Sequence, residues 1–73
     1  MQASDIMIHV SNNLDFQEKQ LIEDKLRAID GVIAPRFNKD HLLLIYFNNN
    51  KTQSSVLLNT VKSIGYKAQL VGL

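Results

Sequence analysis

Apolar and polar residues alternate along the first ten positions, with Ile6, Ile8 and Val10 on one side and Met7 and His9 on the other. That period of two predicts a strand buried on one face. Ser11-Asn12-Asn13 interrupts it as a turn cluster, and the spacing then lengthens. Ile22, Leu26 and Ile29 fall at i, i+4 and i+7, with Leu21 and Ala28 flanking them, so a helix with one apolar stripe is predicted. The handover lies in Leu14-Asp15-Phe16-Gln17-Glu18. Asp15 and Glu18 have the spacing of a capping box: the Asp15 carboxylate accepts from a free helix N–H, and Glu18 reaches back to the N–H of Asp15. Both charges then sit at the positive pole of the helix, and Lys25 and Arg27 suit the negative one. Glu23 and Arg27 have favourable pair spacing, and Gly31 is the expected C′ residue.

Val32 to Phe37 reads as a second strand, and Pro35, which has no N–H to donate, assigns it to a sheet edge. Asn38-Lys39-Asp40-His41 is a hairpin connection to Leu42–Phe47, a run apolar on both faces and so expected at the centre of a sheet. After Asn48-Asn49-Asn50-Lys51, Thr52 is the expected N-cap of a second helix. Leu57, Val61 and Ile64 form its stripe, Gly65 ends it, and Tyr66–Val71 is a final strand. Each half reads strand–helix–strand. Right-handed crossovers then give an α+β, ferredoxin-like βαββαβ sandwich: a four-stranded antiparallel sheet of order 4-1-3-2 with both helices on one face. The expected domain is single and spans residues 1–73.

Composition narrows the function. A chain of 73 residues has a small core, and with no cysteine it has neither a disulfide nor a thiolate metal site to reinforce it. Residues 1–10 lack a basic, then apolar, leader, and Leu42–Phe47 is far short of the ~20 residues that span a bilayer. A soluble, cytoplasmic protein without membrane insertion is expected. The net charge of +1 is dispersed, which argues against nucleic acid as a partner.

Asp30-Gly31-Val32, Ile45-x-Phe47-Asn48 and Gly65-Tyr66-Lys67-Ala68-x-Leu70-Val71, in that order, resemble the heavy-metal-associated domain. That family comprises copper chaperones and N-terminal domains of heavy-metal-transporting P-type ATPases. The resemblance covers nearly the whole chain and implies the same fold and a place in metal transport or homeostasis. It also implies a Cu(I) or Zn(II) site at M-x-C-x-x-C in the first strand–helix junction. Here the two cysteine positions fall on Asp15 and Glu18. Soft Cu(I) needs soft ligands, and a carboxylate pair is a hard oxygen site, so the family's defining activity does not carry over. Tyr66 matches an aromatic that packs beside the metal loop.

Two sets of residues remain candidates. Asp15, Glu18 and His41, with Asp40 nearby, are expected at one end of the sheet, where they are either a cap and a hairpin or a carboxylate–imidazole site for Zn(II) or Ni(II). Met7, His9, Leu42, Leu44 and Tyr46 are expected on the free face of the sheet, with Leu43, Ile45 and Phe47 turned to the helices. A one-layer sheet is ordinarily polar on its free face. This apolar set is either scattered surface or a contact surface for a protein partner or a second copy. His9 needs a partner at short range for any chemical role. Enzyme readings lack parts: there is no nucleophilic cysteine, no serine elbow, no phosphate loop, and no arginine in the first loop of the kind acylphosphatases use. RNA binding on this fold needs several stacking aromatics on the free face, where only Tyr46 is present. The expectation is a non-catalytic docking or regulatory domain without a cofactor, whether a whole protein or the first domain of a transport ATPase. Its alternatives are a metal carrier using Asp15, Glu18 and His41, or a small-molecule sensor of the same topology.

Overall fold

Alternating and stripe-patterned segments pack into two layers in the computed structural model, which describes residues 3–72. The elements are β1 (Ala3–Val10), α1 (Phe16–Arg27), β2 (Val32–Lys39), β3 (Leu42–Asn48), α2 (Ser54–Ile64) and β4 (Ala68–Leu70). The sheet order is β2-β3-β1-β4 and every pairing is antiparallel, the predicted 4-1-3-2 arrangement. Ile8 and Val10 from β1, Leu43, Ile45 and Phe47 from β3, Ile22 and Leu26 from α1, and Leu57 and Val61 from α2 make the core. Each fully buried aliphatic side chain contributes about 1.5–3 kcal/mol, which is how so short a chain offsets its ordering entropy.

Pro35 lies in the edge strand β2, with its side chain buried against the helices. The register from Ala34 to Phe37 is regular, with bulges on either side.

Four local expectations are corrected. The first helix stops at Arg27 with Ala28 as its C-cap, so Ile29 lies in the turn beyond it and Gly31 is not the C′ residue. Gly31 instead opens β2 at φ +102° and accepts the Asn48 N–H at 2.7 Å. A Cβ there would lie 2.7 Å from the Lys51 Cβ, so the close approach of two backbones requires glycine. Thr52 does not cap α2. Its side chain is buried beside Gly31, and Gln53 occupies the cap position without a side-chain bond. Arg27 pairs with Asp24 at 2.9 Å rather than with Glu23, because Glu23 turns to the backbone of β2. The last strand is three residues long, since the Lys67 N–H is taken by the Asn12 side chain at 2.8 Å before the ladder begins. Gly65, by contrast, ends α2 in the left-handed conformation as predicted.

Candidate functional site

The strand–helix junction is closed by hydrogen bonds. The Glu18 N–H donates to Asp15 Oδ1 at 2.8 Å, and the Asp15 N–H donates to Glu18 Oε1 at 3.2 Å, which completes the capping box. The second oxygen of Glu18 accepts the Tyr66 hydroxyl at 3.1 Å. Tyr66 packs against the core from the turn before β4 and locks this turn to the first one. Partial burial raises the Tyr66 phenol above its ordinary value, with the hydrogen bond and charge of Glu18 adding to the effect and Asp15 contributing least. Both Glu18 oxygens are thereby occupied.

His41 does not turn toward that junction. Its backbone carbonyl accepts the Val10 N–H at 2.9 Å, and its ring Nδ1 lies 2.8 Å from the Val10 carbonyl. Asp40 reaches the other way, to Lys19 of α1 at 3.1 Å. The hydrogen bond and charge of Lys19 lower the Asp40 carboxyl below the ordinary carboxylate range, against a small opposing effect of desolvation, with His41 the smallest contributor. Among the described residues, no three His, Asp or Glu side chains form a group that could hold a metal ion. Asp15, Glu18 and His41 are thus not brought together.

The free face is brought together. Cross-strand register sets Ala34, Tyr46 and Asp5 in one row, Arg36, Leu44 and Met7 in the next, and Leu42, His9 and Gln69 in a third. All five residues expected on this face therefore lie on two adjacent central strands. Tyr46 is 48% exposed, whereas Met7, His9, Leu42 and Leu44 are half-buried by one another and by their neighbours. Ala34, Arg36, Leu44 and Tyr46 line a depression of about 330 Å³.

Two features escape the sequence pattern. His9 and His41 stack, with ring centres 5.8 Å apart and planes at 28°. The His9 Nδ1 is buried with no hydrogen-bond partner among the described residues. Phe16, the first residue of α1, is 79% exposed beside a groove of about 290 Å³ between α1 and the hairpin, where the Lys19 ammonium stands 5.9 Å from the Phe37 ring centre. Neither is visible in periodicity, because each depends on where a turn or helix-start side chain points.

No protein-family model matches the chain, and no curated protein sequence matches it. Solved structures do. The chain is similar to the N-terminal domain of a potential copper-translocating P-type ATPase from Bacillus subtilis in its Cu(I)-loaded state, with 22% identity, a TM-score of 0.84, and coverage of 97% of this chain and 90% of that one. The CopZ metallochaperone aligns over 93% of this chain and 100% of its own, at 22% identity and a TM-score of 0.81. Oxidised MerP from Ralstonia metallidurans aligns over 97% and 100%, at 12% identity and a TM-score of 0.86. The chain has the ferredoxin-like fold of these heavy-metal-associated domains.

Proposed function

We propose that this chain is a non-catalytic domain of the heavy-metal-associated type that has given up the two-cysteine metal site and serves as a docking or regulatory module in metal transport or homeostasis. It works in the cytoplasm, alone or as the first domain of a transport ATPase, and meets a protein partner or a second copy through the free face of its sheet. The observation that carries the reading is the closed junction. Where the resemblance places two thiolates, Asp15 and Glu18 cap α1, and Glu18 also holds Tyr66. A loop whose donors are already paired presents no open ligand set.

The contiguous rows around Met7, Leu44 and Tyr46 supply the contact surface. Leu43, Ile45 and Phe47 fill the core from the same strand, so Leu44→Ser and Tyr46→Ser should leave the fold intact. Sedimentation of wild type and both variants over a concentration range tests the reading, together with binding to co-purifying metal-transport proteins. Loss of association on the order of 2 kcal/mol on truncating the aromatic is expected at a hot spot. Ideal monomers in all three, with partner binding unchanged, would refute it.

A further inference from the structure

The His9–His41 pair lies at the hairpin end of the free face, and among the described residues each ring has a nitrogen without a partner. A backbone carbonyl only accepts, so the 2.8 Å contact of His41 Nδ1 with the Val10 oxygen fixes the proton on Nδ1. The lone pair of His41 is therefore on Nε2. This is the state in which histidine ligates metals: the far nitrogen donates to a carbonyl, which sets the tautomer, aims the ring and raises its basicity. The main chain of His41 is pinned as well, by the Val10 N–H at 2.9 Å. His41 is thus a preorganised donor.

His9 is the adjustable member. Its Nδ1 is buried and makes no hydrogen bond among the described residues, so turning the ring toward an ion breaks none of their bonds at that nitrogen. Leaving such a group unpaired costs free energy, which an ion recovers in the tautomer that carries the His9 proton on Nε2. The two rings also have the right separation. Two imidazoles on one tetrahedral ion, with metal–nitrogen bonds of about 2.0–2.1 Å, have their centres about 5 Å apart. The observed centres are 5.8 Å apart with planes at 28°, so the separation is close to that arrangement and the His9 ring must turn out of the stack for the two in-plane lone pairs to converge on one ion.

We infer that His9 and His41 together form a two-imidazole site for a divalent first-row transition-metal ion. Imidazole suits Zn(II), Ni(II) and Cu(II), and the affinity order places Cu(II) first among them. With two protein ligands the ion keeps open positions for water. This site shares no nitrogen or oxygen ligand with Asp15 or Glu18, and it does not depend on the docking reading.

The test is a titration of the full 73-residue chain, labelled with ¹⁵N, with Zn(II) chloride, followed through the imidazole nitrogens. One ligated nitrogen on each of His9 and His41 should shift together and saturate at one ion per chain. Cu(II), followed by calorimetry, should bind more tightly than Zn(II). His9→Phe, which keeps a ring in the stack, should weaken binding by about tenfold or more, whereas the pair Asp15→Asn with Glu18→Gln should leave it unchanged. His41→Phe should match His9→Phe. Should that variant unfold through loss of its bond to Val10, His9→Phe alone decides. Absence of saturable shifts, unchanged affinity in His9→Phe, or shifts centred on Asp15 and Glu18 would each overturn the site. None of these results bears on the sedimentation of Leu44→Ser, so the two readings fail separately.

Discussion

The Phe37 backbone N–H, on the open edge of β2, donates to the Glu23 carboxylate of α1 at 2.9 Å. Pro35 is two residues earlier in the same regular stretch of register, so its nitrogen faces the same edge and has no hydrogen to offer. The two outward positions of this stretch are thus silenced, one by ring closure and the other by a side chain from the helix layer. Edge strands left open are templates for pairing with other chains, and covering their donors is a known protection. Glu23→Ala should cost about 1 kcal/mol by uncovering a partly buried donor. It should also raise the tendency to self-associate, more so when combined with Pro35→Ala. Urea melts and light scattering at matched concentration measure both effects. Unaltered scattering in the double variant would remove the protective role.

The cap makes a second prediction. Asp15→Ala should lower stability by about 1 kcal/mol and Glu18→Ala by somewhat less through the box itself. Glu18→Ala should in addition bring the Tyr66 titration down partway toward its ordinary value, because burial, the largest cause of the rise, remains. The sign follows from the raised phenol: this contribution to stability is complete below the unfolded-state value and is lost as pH climbs through the folded-state one. Absorbance of the phenolate on titration to high pH reads it directly.

Gly31 and Gly65 should respond differently to alanine. Both have positive φ, at +102° and +116°, but a Cβ on Gly65 meets nothing within 4 Å while one on Gly31 meets Lys51 and Thr52. Gly65→Ala should cost about 1 kcal/mol from backbone strain alone. Gly31→Ala should cost about 2–3 kcal/mol, since the strand entry must also move. Equal denaturation midpoints for the two variants would contradict this.

Lys19 and Asp40 join α1 to the hairpin at the surface. The Asp40 carboxyl is lowered first by the Lys19 hydrogen bond and then by its charge. What this pair contributes is present above the ordinary carboxylate value and disappears as pH falls through the lowered one. Lys19→Gln should return the Asp40 midpoint close to the ordinary range in a carboxyl NMR titration. An unmoved midpoint would assign the shift elsewhere.

Strand order, the helix stripes and the inward set Leu43, Ile45 and Phe47 are legible in the sequence because periodicity reports which face is buried. Asp15 and Glu18 are legible as a box because capping is local, within one turn. Thr52, Gly31 and Glu23 are misread for one shared reason: each is decided by a neighbour distant in sequence. Thr52 is buried beside Gly31, Gly31 is crowded by Lys51, and Glu23 is drawn off by Phe37. His41 belongs to the same class. A turn residue has no period, so its place beside His9 emerges only once the His9–Leu42 register is formed.

The closed junction also determines what orders the start of α1. In a chain with thiolates at positions 15 and 18, the first turn of α1 would lack this reciprocal box, and an incoming ion would have to organise it. Apo and loaded forms would then differ in local order, and loading would register as a stiffening of the loop. Here the carboxylates and the Tyr66 hydroxyl supply that order permanently. The start of α1 is therefore held by side chains of the chain itself. Asp15→Cys with Glu18→Cys would exchange that constancy for responsiveness, yielding a helix start that is loose until an ion arrives.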